Sequence, residues 1–539
     1  MKKNMVKADV NFEKELWDAA NELRGAVSEN NYKNYILPLV FMKHLSERHE
    51  IVHEELEKAL NDPSSNYYTE DEAAKKYTLS NKEEYLSRNA FLIAPKASWR
   101  HLKENAAQNN IKEIIDDAFD ALQDLLTERA AKLNNLLPRI FVKSELSPKQ
   151  VGGIINLLSP PKFSEKENPE SDILGRIYEF YIGRFARAEG AGAGQFFTPG
   201  SIVRLMVEML EPYKGRIFDP ACGSGGMFVQ SLKFINEHGG EKSDISIFGQ
   251  EMTAETLRLC LMNLLLRDLS FDVKLGNSLL EDKHPKLKAD YILANPPFNV
   301  SKWHPEDLPE NDPRLFGQKK DFTTDSSANY MWMQTFWHHL NDTGTASIVM
   351  ANGAMTSNTA AEKNARQHMV DHNMIDCIVR LPDKLFLTTG IPACIFFLSK
   401  NRAGKDGKHR NRKGEILFIE ANKMGDMASR KLRVFKGEHI HKIKATYHSW
   451  RNNPERHSAL DPESLKYKDV LGFSYSATLA EVQKQEYRLT PGIYVGTEAE
   501  EDDGIPFEDK MAGLKSQLLK QFKKSEELKK QIIANFDKF

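Results

Sequence analysis

The chain has 539 residues, 40% of them apolar, with 74 Lys and Arg against 76 Asp and Glu for a net charge of −2. That length exceeds what one hydrophobic core supports, so two or three domains are expected. The charge balance excludes a protein that holds nucleic acid by bulk positive charge; such a partner has to be held by a local basic surface or by another subunit.

The opening MKKNMVKADVNFEKELW has lysines but no apolar run behind them, and nowhere do apolar residues continue long enough to span a bilayer. Neither a signal peptide nor a membrane segment is expected. From residue 11 to about 165 the pattern is helical: Leu37, Phe41, Leu45, Val52, Leu56 and Leu60 share one face, as do Ile114, Ile115, Phe119, Leu122 and Leu126. The Pro-, Ser- and charge-rich stretch SPPKFSEKENPESD, 159–172, reads as a linker.

Beyond it, short apolar runs capped by polar residues alternate with helix-length segments: GRIFDPACGSGG, ISIFGQE, FDVKLGNS, DYILANPP, TASIVMANG, DCIVRLPD and ACIFFLSK. Seven such runs predict an α/β doubly wound, largely parallel sheet with helices on both faces. KNRAGKDGKHRNRKGE, 400–415, reads as a solvated basic excursion, and EAEEDDGIPFED, 498–509, as an acidic connector. Met511, Leu514, Leu518, Phe522, Leu528 and Ile532 then form an apolar stripe on a terminal helix, a face to bury against this chain or a partner. The expected units are 1–168, helical; 169–480, catalytic α/β; and 481–539, a helical extension.

In IFDPACGSGGMF, 217–228, a strand runs into a Gly-rich turn and a helix. Gly223 and Gly225 permit close backbone approach to a ligand, and the helix start offers free N–H groups. A dinucleotide turn needs a third glycine where Phe228 stands, and no GxxxxGK[ST] loop occurs. The turn therefore suits a nucleoside ligand without a pyrophosphate cradle. The next strand ends at Glu251, followed by Met252; a carboxylate there grips a ribose diol in such folds, although Thr253 also allows a helix-start role.

Asn295-Pro296-Pro297-Phe298 ends the strand DYILA at the sheet edge where ligands bind. The prolines stop the ladder, and the Asn295 amide oxygen and Pro296 carbonyl become rigid acceptors beside an aromatic ring. That combination suits a planar amino group on a base that has left its helix.

FDPACGSGG with ANPPF, and GQFFTPG at 194–200 ahead of both, resembles the amino-group, S-adenosylmethionine-dependent DNA methyltransferases in their gamma order. The helical regions at either end resemble those of the modification subunit of type I restriction–modification systems. The resemblance implies a Rossmann-like methyltransferase domain that methylates N6 of adenine in double-stranded DNA. It places Gln195, Phe196, Phe197, Thr198, Pro199 and Gly200 at the methionine end of S-adenosylmethionine. Asp219, Ala221, Cys222, Gly223, Ser224 and Gly225 line the pocket, Glu251 and Met252 take the ribose side, and Asn277 and Ser278 lie near the cofactor's adenine, where many relatives carry an acid. Asn295, Pro296, Pro297 and Phe298 hold the target base. The implied partners are a specificity subunit joining two modification subunits and duplex DNA; a restriction (nuclease/translocase) subunit stays open.

Three other readings compete. His49-Glu50-Ile51-Val52-His53 matches HExxH, a zinc hydrolase signature, with Glu70 or Glu72 as a third ligand, but nothing distinctive surrounds either acid. No metal is expected. Four cysteines without a CxxC pair fit a reducing cytoplasm rather than a disulfide or structural zinc framework. The same pocket could serve RNA or protein glutamine, or bind cofactor in a non-catalytic scaffold. Residues 298–322 read equally as a flap or as an ordinary surface loop.

Overall fold

A computed structural model of the chain describes residues 14–130, 133–164, 166, 173–188, 198–386, 392–430, 432–453, 467–496 and 507–536. The helical half contains α1 (Lys33–Asn61), α2 (Ile111–Arg129) and α3 (Pro148–Leu158). Leu37, Phe41, Leu45, Val52, Leu56 and Leu60 of α1 are all buried, so the helical periodicity marks its packed face. Ser147 and Gln150 form a reciprocal capping box that fixes the start of α3. Next comes α4 (Ile173–Ala188), whose Tyr178 and Tyr181 hydroxyls donate to Leu259 O at 3.0 Å and Leu16 O at 2.5 Å. This helix thereby ties the helical half to the sheet.

Each of the seven runs contains strand residues: β1 (Gly215–Asp219), β2 (Ile245–Glu251), β3 (Phe271–Leu275), β4 (Ala289–Ala294), β5 (Leu340–Ala351), β6 (Ile375–Arg380) and β7 (Ala393–Ser399). They are joined by β8 (Glu415–Glu420) and β11 (Ser474–Thr478) in one nine-stranded sheet of order β11-β8-β6-β7-β5-β4-β1-β2-β3. β9 (Asp426–Ser429) and β10 (Leu432–Val434) form a separate hairpin. β7 is antiparallel to both β5 and β6, and β11 is antiparallel to β8; the remaining pairs are parallel.

Along the central strands, successive residues face opposite cores. Ile217, Leu293, Val349, Phe397 and Ile419 face the side continuous with the helical half, while Phe218, Ile292, Ile348, Phe396 and Phe418 face the other. Such period-two burial on both faces is why the strands read as unbroken apolar runs. The covering helices include α5 (Gly200–Leu210), α6 (Gly226–Glu237), α7 (Ala254–Leu265), α8 (Asn329–His339), α9 (Ala360–Asp371) and α10 (Gly437–Arg451).

The basic stretch 400–415 differs from the expected solvated loop. Arg402 and Arg412 are buried and both pair with Asp376, which is fully buried and also accepts from Tyr447 Oη at 2.6 Å. A fully buried carboxylate requires compensating charge, and two of the loop's guanidiniums supply it. Residues 298–322 also pack into the fold, through buried Trp303, Leu308 and Arg314. The terminal helix α11 (Phe507–Phe536) does not bury its stripe against this chain: Leu514 and Phe522 are each 60% exposed. The acidic connector lies largely outside the described residues, and no helix among those described is long and apolar enough to cross a membrane.

His49 and His53 are engaged in packing. His49 Nδ1 meets Phe91 O at 3.0 Å and His53 Nδ1 meets Tyr85 Oη at 2.6 Å. Among the described residues, no third ligand atom gathers with the two histidines.

Candidate active site

The site forms where β1, β2 and β4 end together. After β1 the chain turns through Gly223 (φ 54°) and Gly225 (φ 83°), both in the left-handed region where a Cβ is costly. A Cβ added at Gly225 would also meet Cys260 Sγ at 3.0 Å. Phe228 is buried where a dinucleotide turn has its third glycine, and its ring lies 3.2 Å from a Cβ built at Gly249 of β2. The small residue that permits close helix–strand packing thus sits on the neighbouring strand.

Hydrogen bonds fix the turn from three sides. Asp219 Oδ1 accepts from Ala221 N at 2.9 Å, and Asn263 Nδ2 donates to Ser224 O at 2.8 Å. Glu251 Oε2 accepts from Gly223 N at 3.1 Å, while its Oε1 accepts from Thr253 N at 2.9 Å and Thr253 Oγ1 at 2.7 Å. The carboxylate at the end of β2 therefore both joins the glycine turn and serves the start of α7. Burial, with Glu251 nearby, pushes the Asp219 carboxyl well above the usual carboxylate range. The Cys222 thiol, in contact with Cys260 Sγ at 3.9 Å and buried, is likewise held well above the usual thiol range.

Asn295 follows directly on β4 and is 9% exposed. Its Nδ2 donates to Thr198 Oγ1 at 3.0 Å, whereas its Oδ1 is buried without a hydrogen-bond partner. A buried acceptor left open costs free energy, commonly about 1–3 kcal/mol, unless something fills it. Phe298 is half-buried, its ring edge-on to Phe386 at 5.8 Å between centroids.

Of the residues singled out from sequence, Thr198, Gly200, Asp219, Ala221, Cys222, Gly223, Ser224 and Asn295 line a single cavity. Gly225 and Glu251 are not among its lining residues; Glu251 reaches the turn only through Gly223 N. Asn277 and Ser278 stand apart as braces: Asn277 Oδ1 accepts from Leu279 N at 3.1 Å, and Ser278 Oγ donates to Pro220 O at 2.6 Å. Arg314 secures the same loop, donating to Ser278 O at 2.6 Å. Met252 is 65% exposed. Gln195, Phe196 and Phe197 lie outside the described residues.

Sequence reading missed Glu179 and Asn263, which also line the cavity. Glu179 bonds Arg267 at 2.8 Å and Lys233 at 2.9 Å. Each is a polar residue on an otherwise apolar helical stretch, and that exception was the available signal.

Sheet order β3-β2-β1-β4-β5-β7-β6 with β7 antiparallel defines a Rossmann-like methyltransferase fold. The methyltransferase subunit of a type I restriction–modification system from Streptococcus thermophilus shares it, with a TM-score of 0.70 at 22% identity over 90% of this chain and 99% of that one. Residues 169–503 match the model for N-6 DNA methylase and residues 12–158 that for the HsdM N-terminal domain. The chain is 36% identical over 523 residues to the methylase subunit of the type I restriction enzyme MjaIX of Methanocaldococcus jannaschii, covering 97% of this chain and 90% of that protein. To the HindI methylase subunit of Haemophilus influenzae it is 39% identical over 460 residues, 81% of this chain and 98% of the relative. The chain belongs to the N-6 DNA methylase family, as a methylase subunit of the type I restriction class.

Proposed function

We propose that the chain methylates N6 of an adenine swung out of duplex DNA, as the modification subunit of a complex whose specificity subunit reads the sequence. The observation that carries this reading is Asn295: a rigidly held side chain with its acceptor oxygen buried and unpaired at the ligand edge of the sheet.

The residues present fit S-adenosylmethionine. The backbone turn 221–224 and the Asp219 carboxyl line the cavity beside Thr198 and Asn295, which supports a close-lying ligand carrying a positive charge; Glu251, bonded to Gly223 N behind the turn, is assigned to the ribose side by resemblance. Thr198, Asp219 and the 221–225 turn hold it; when bound, it supplies an electrophilic methyl group on a sulfonium centre.

The rest is done by the chain itself. The adenine amine is a weak nucleophile because its lone pair is delocalised into the ring. Asn295 Oδ1 accepts an N6–H bond, pulls the nitrogen towards tetrahedral geometry and stabilises the positive charge growing on it as the N–C bond forms. Asn is neutral and takes no proton, so the surplus proton leaves for solvent after transfer. Pro296 and Pro297 lock the backbone, and Phe298 gives the extruded base a surface to stack on.

The exposed stripe of α11 supports docking on a helical partner. We assign that partner to the specificity subunit, and removal of 505–539 should abolish the complex on size exclusion. The deciding experiment for the function is methyl transfer from labelled S-adenosylmethionine to duplex DNA, digested to nucleosides. The expected result is N6-methyladenine from the chain with its specificity subunit, and none from the chain alone. Absence of label from DNA in both, with cofactor bound, would overturn the reading.

A further inference from the structure

Against a whole-chain charge of −2, residues 423–436 carry five basic side chains, Lys423, Arg430, Lys431, Arg433 and Lys436, and one acid, Asp426. This stretch contains the antiparallel hairpin β9–β10, which leaves the large sheet at the end of β8. β8 is parallel to β6; β7 is antiparallel to both β6 and β5; β5 is parallel to β4. The carboxyl ends of β8 and β4 therefore open on one edge of the sheet, and the hairpin rises from the edge that carries Asn295.

Specific contacts tie it there. Ala421 N donates to Arg380 O at 3.0 Å, and Arg433 N donates to Lys384 O at 2.8 Å. The Arg433 guanidinium holds Met424 O at 3.2 Å and Gly425 O at 3.1 Å, and pairs with Asp383 at 3.5 Å. Two residues beyond Lys384, the Phe386 ring meets Phe298 edge-on at 5.8 Å between centroids. One short stretch of chain thus separates the hairpin from the proposed base-binding residues.

Arg433 is consumed in this anchoring, and Lys436 pairs with Asp426 at 2.5 Å. Lys384, Lys423 and Arg430 are exposed, and none has an acidic partner among the described residues.

We infer that hairpin β9–β10 grips the phosphate backbone of the DNA duplex beside the extruded adenine, through Lys423 and Arg430 with Lys384 at its foot. The inference rests on the DNA-methylation reading above. Extruding a base requires the flanking duplex to be held while stacking is lost. Phosphate contacts supply that hold without sequence information, which leaves base reading to another subunit.

The test uses the full complex with the specificity subunit and the double variant Lys423→Ala/Arg430→Ala. Duplex affinity is measured across salt concentrations, alongside DNA KM, kcat and cofactor affinity. Each phosphate contact contributes about 0.9 to the log–log salt slope, so the slope should shrink by about 2 and the DNA KM rise on the order of tenfold or more. kcat at saturating DNA and cofactor affinity should stay at the wild-type level, and Lys423→Arg/Arg430→Lys should retain the full slope. Normal wild-type methylation with an unchanged slope in the Ala variant overturns the inference alone. A wild-type complex that places no methyl on DNA overturns the methylation reading, and this inference with it.

Discussion

Asn295 and Thr198 meet across 97 residues of chain, the Asn295 Nδ2 donating to Thr198 Oγ1 at 3.0 Å. That bond decides which end of the amide is left open to the cavity. With the nitrogen committed, Oδ1 is the atom left unpaired, and in the proposed reaction it is the one that meets the amine.

Removing the orienting hydroxyl should therefore slow chemistry. Thr198→Val keeps the shape but loses the acceptor, so the amide can rotate. A lost hydrogen bond of about 1.4 kcal/mol corresponds to roughly a tenfold fall in single-turnover rate. Thr198→Ser should restore it. Asn295→Ala should abolish transfer while cofactor affinity persists. A single-turnover rate unaffected by Thr198→Val would mean that the bond does not set the amide.

Asp219 should make cofactor binding and stability pull in opposite directions with pH. Its folded-state carboxyl titrates well above the usual range because it is buried. Between the unfolded and folded values the folded chain keeps a proton that the unfolded chain has lost, so stability falls as pH rises through that window. Binding of a cationic ligand favours the carboxylate, so cofactor affinity should rise with pH over the same interval, with proton release. Asp219→Asn can still accept from Ala221 N. It should flatten the pH dependence of the thermal midpoint and weaken cofactor binding. Calorimetry in buffers of different ionisation enthalpy reads the proton; equal enthalpies in all buffers would contradict the assignment.

At Gly225 two separate costs can be told apart. A side chain there adopts a left-handed backbone, costing about 1–2 kcal/mol, and its Cβ meets Cys260 Sγ at 3.0 Å. Gly225→Ala should lower the thermal midpoint and weaken cofactor binding. Adding Cys260→Ala should recover the steric part and leave the backbone part. Full recovery in the double variant would show that the dihedral angle carries no cost.

Legibility in the sequence divided along physical lines. β1 through β7 were readable because burial on both faces makes a strand a continuous apolar run between turns. The place of Asn295 at the end of β4 and the left-handed turn at Gly223 and Gly225 were readable because two prolines end a strand and paired glycines mark a turn with positive φ. The antiparallel entry of β7 was not readable: its residues look the same whichever way the strand runs. The 400–415 loop misled for the opposite reason. Local charge says solvent, and only the position of Asp376 on β6, invisible in one dimension, converts Arg402 and Arg412 into buried partners. Glu179 and Asn263 were missed because their cavity is assembled from helices distant in sequence.

That buried cluster yields the last prediction. Arg402 and Arg412 both meet Asp376 inside the fold, Arg412 Nε at 3.0 Å from Oδ1, and Tyr447 Oη donates to the other carboxylate oxygen at 2.6 Å. Trp450 lies beneath, its ring centroid 5.8 Å from Arg402 Cζ and 5.7 Å from Arg412 Cζ. Asp376→Asn keeps the size but leaves two guanidiniums without a counter-charge in a low-dielectric setting, where breaking a buried pair costs about 3–5 kcal/mol. Tyr447→Phe removes a single hydrogen bond and should cost about 1 kcal/mol. Denaturant midpoints should rank wild type above Tyr447→Phe, and Tyr447→Phe well above Asp376→Asn. Cofactor affinity in the variants that fold should be unchanged, because the cluster lies on β6 and α10, away from the 221–225 turn. Equal midpoints for wild type and Asp376→Asn would mean that the two arginines reach solvent, as their sequence alone suggests.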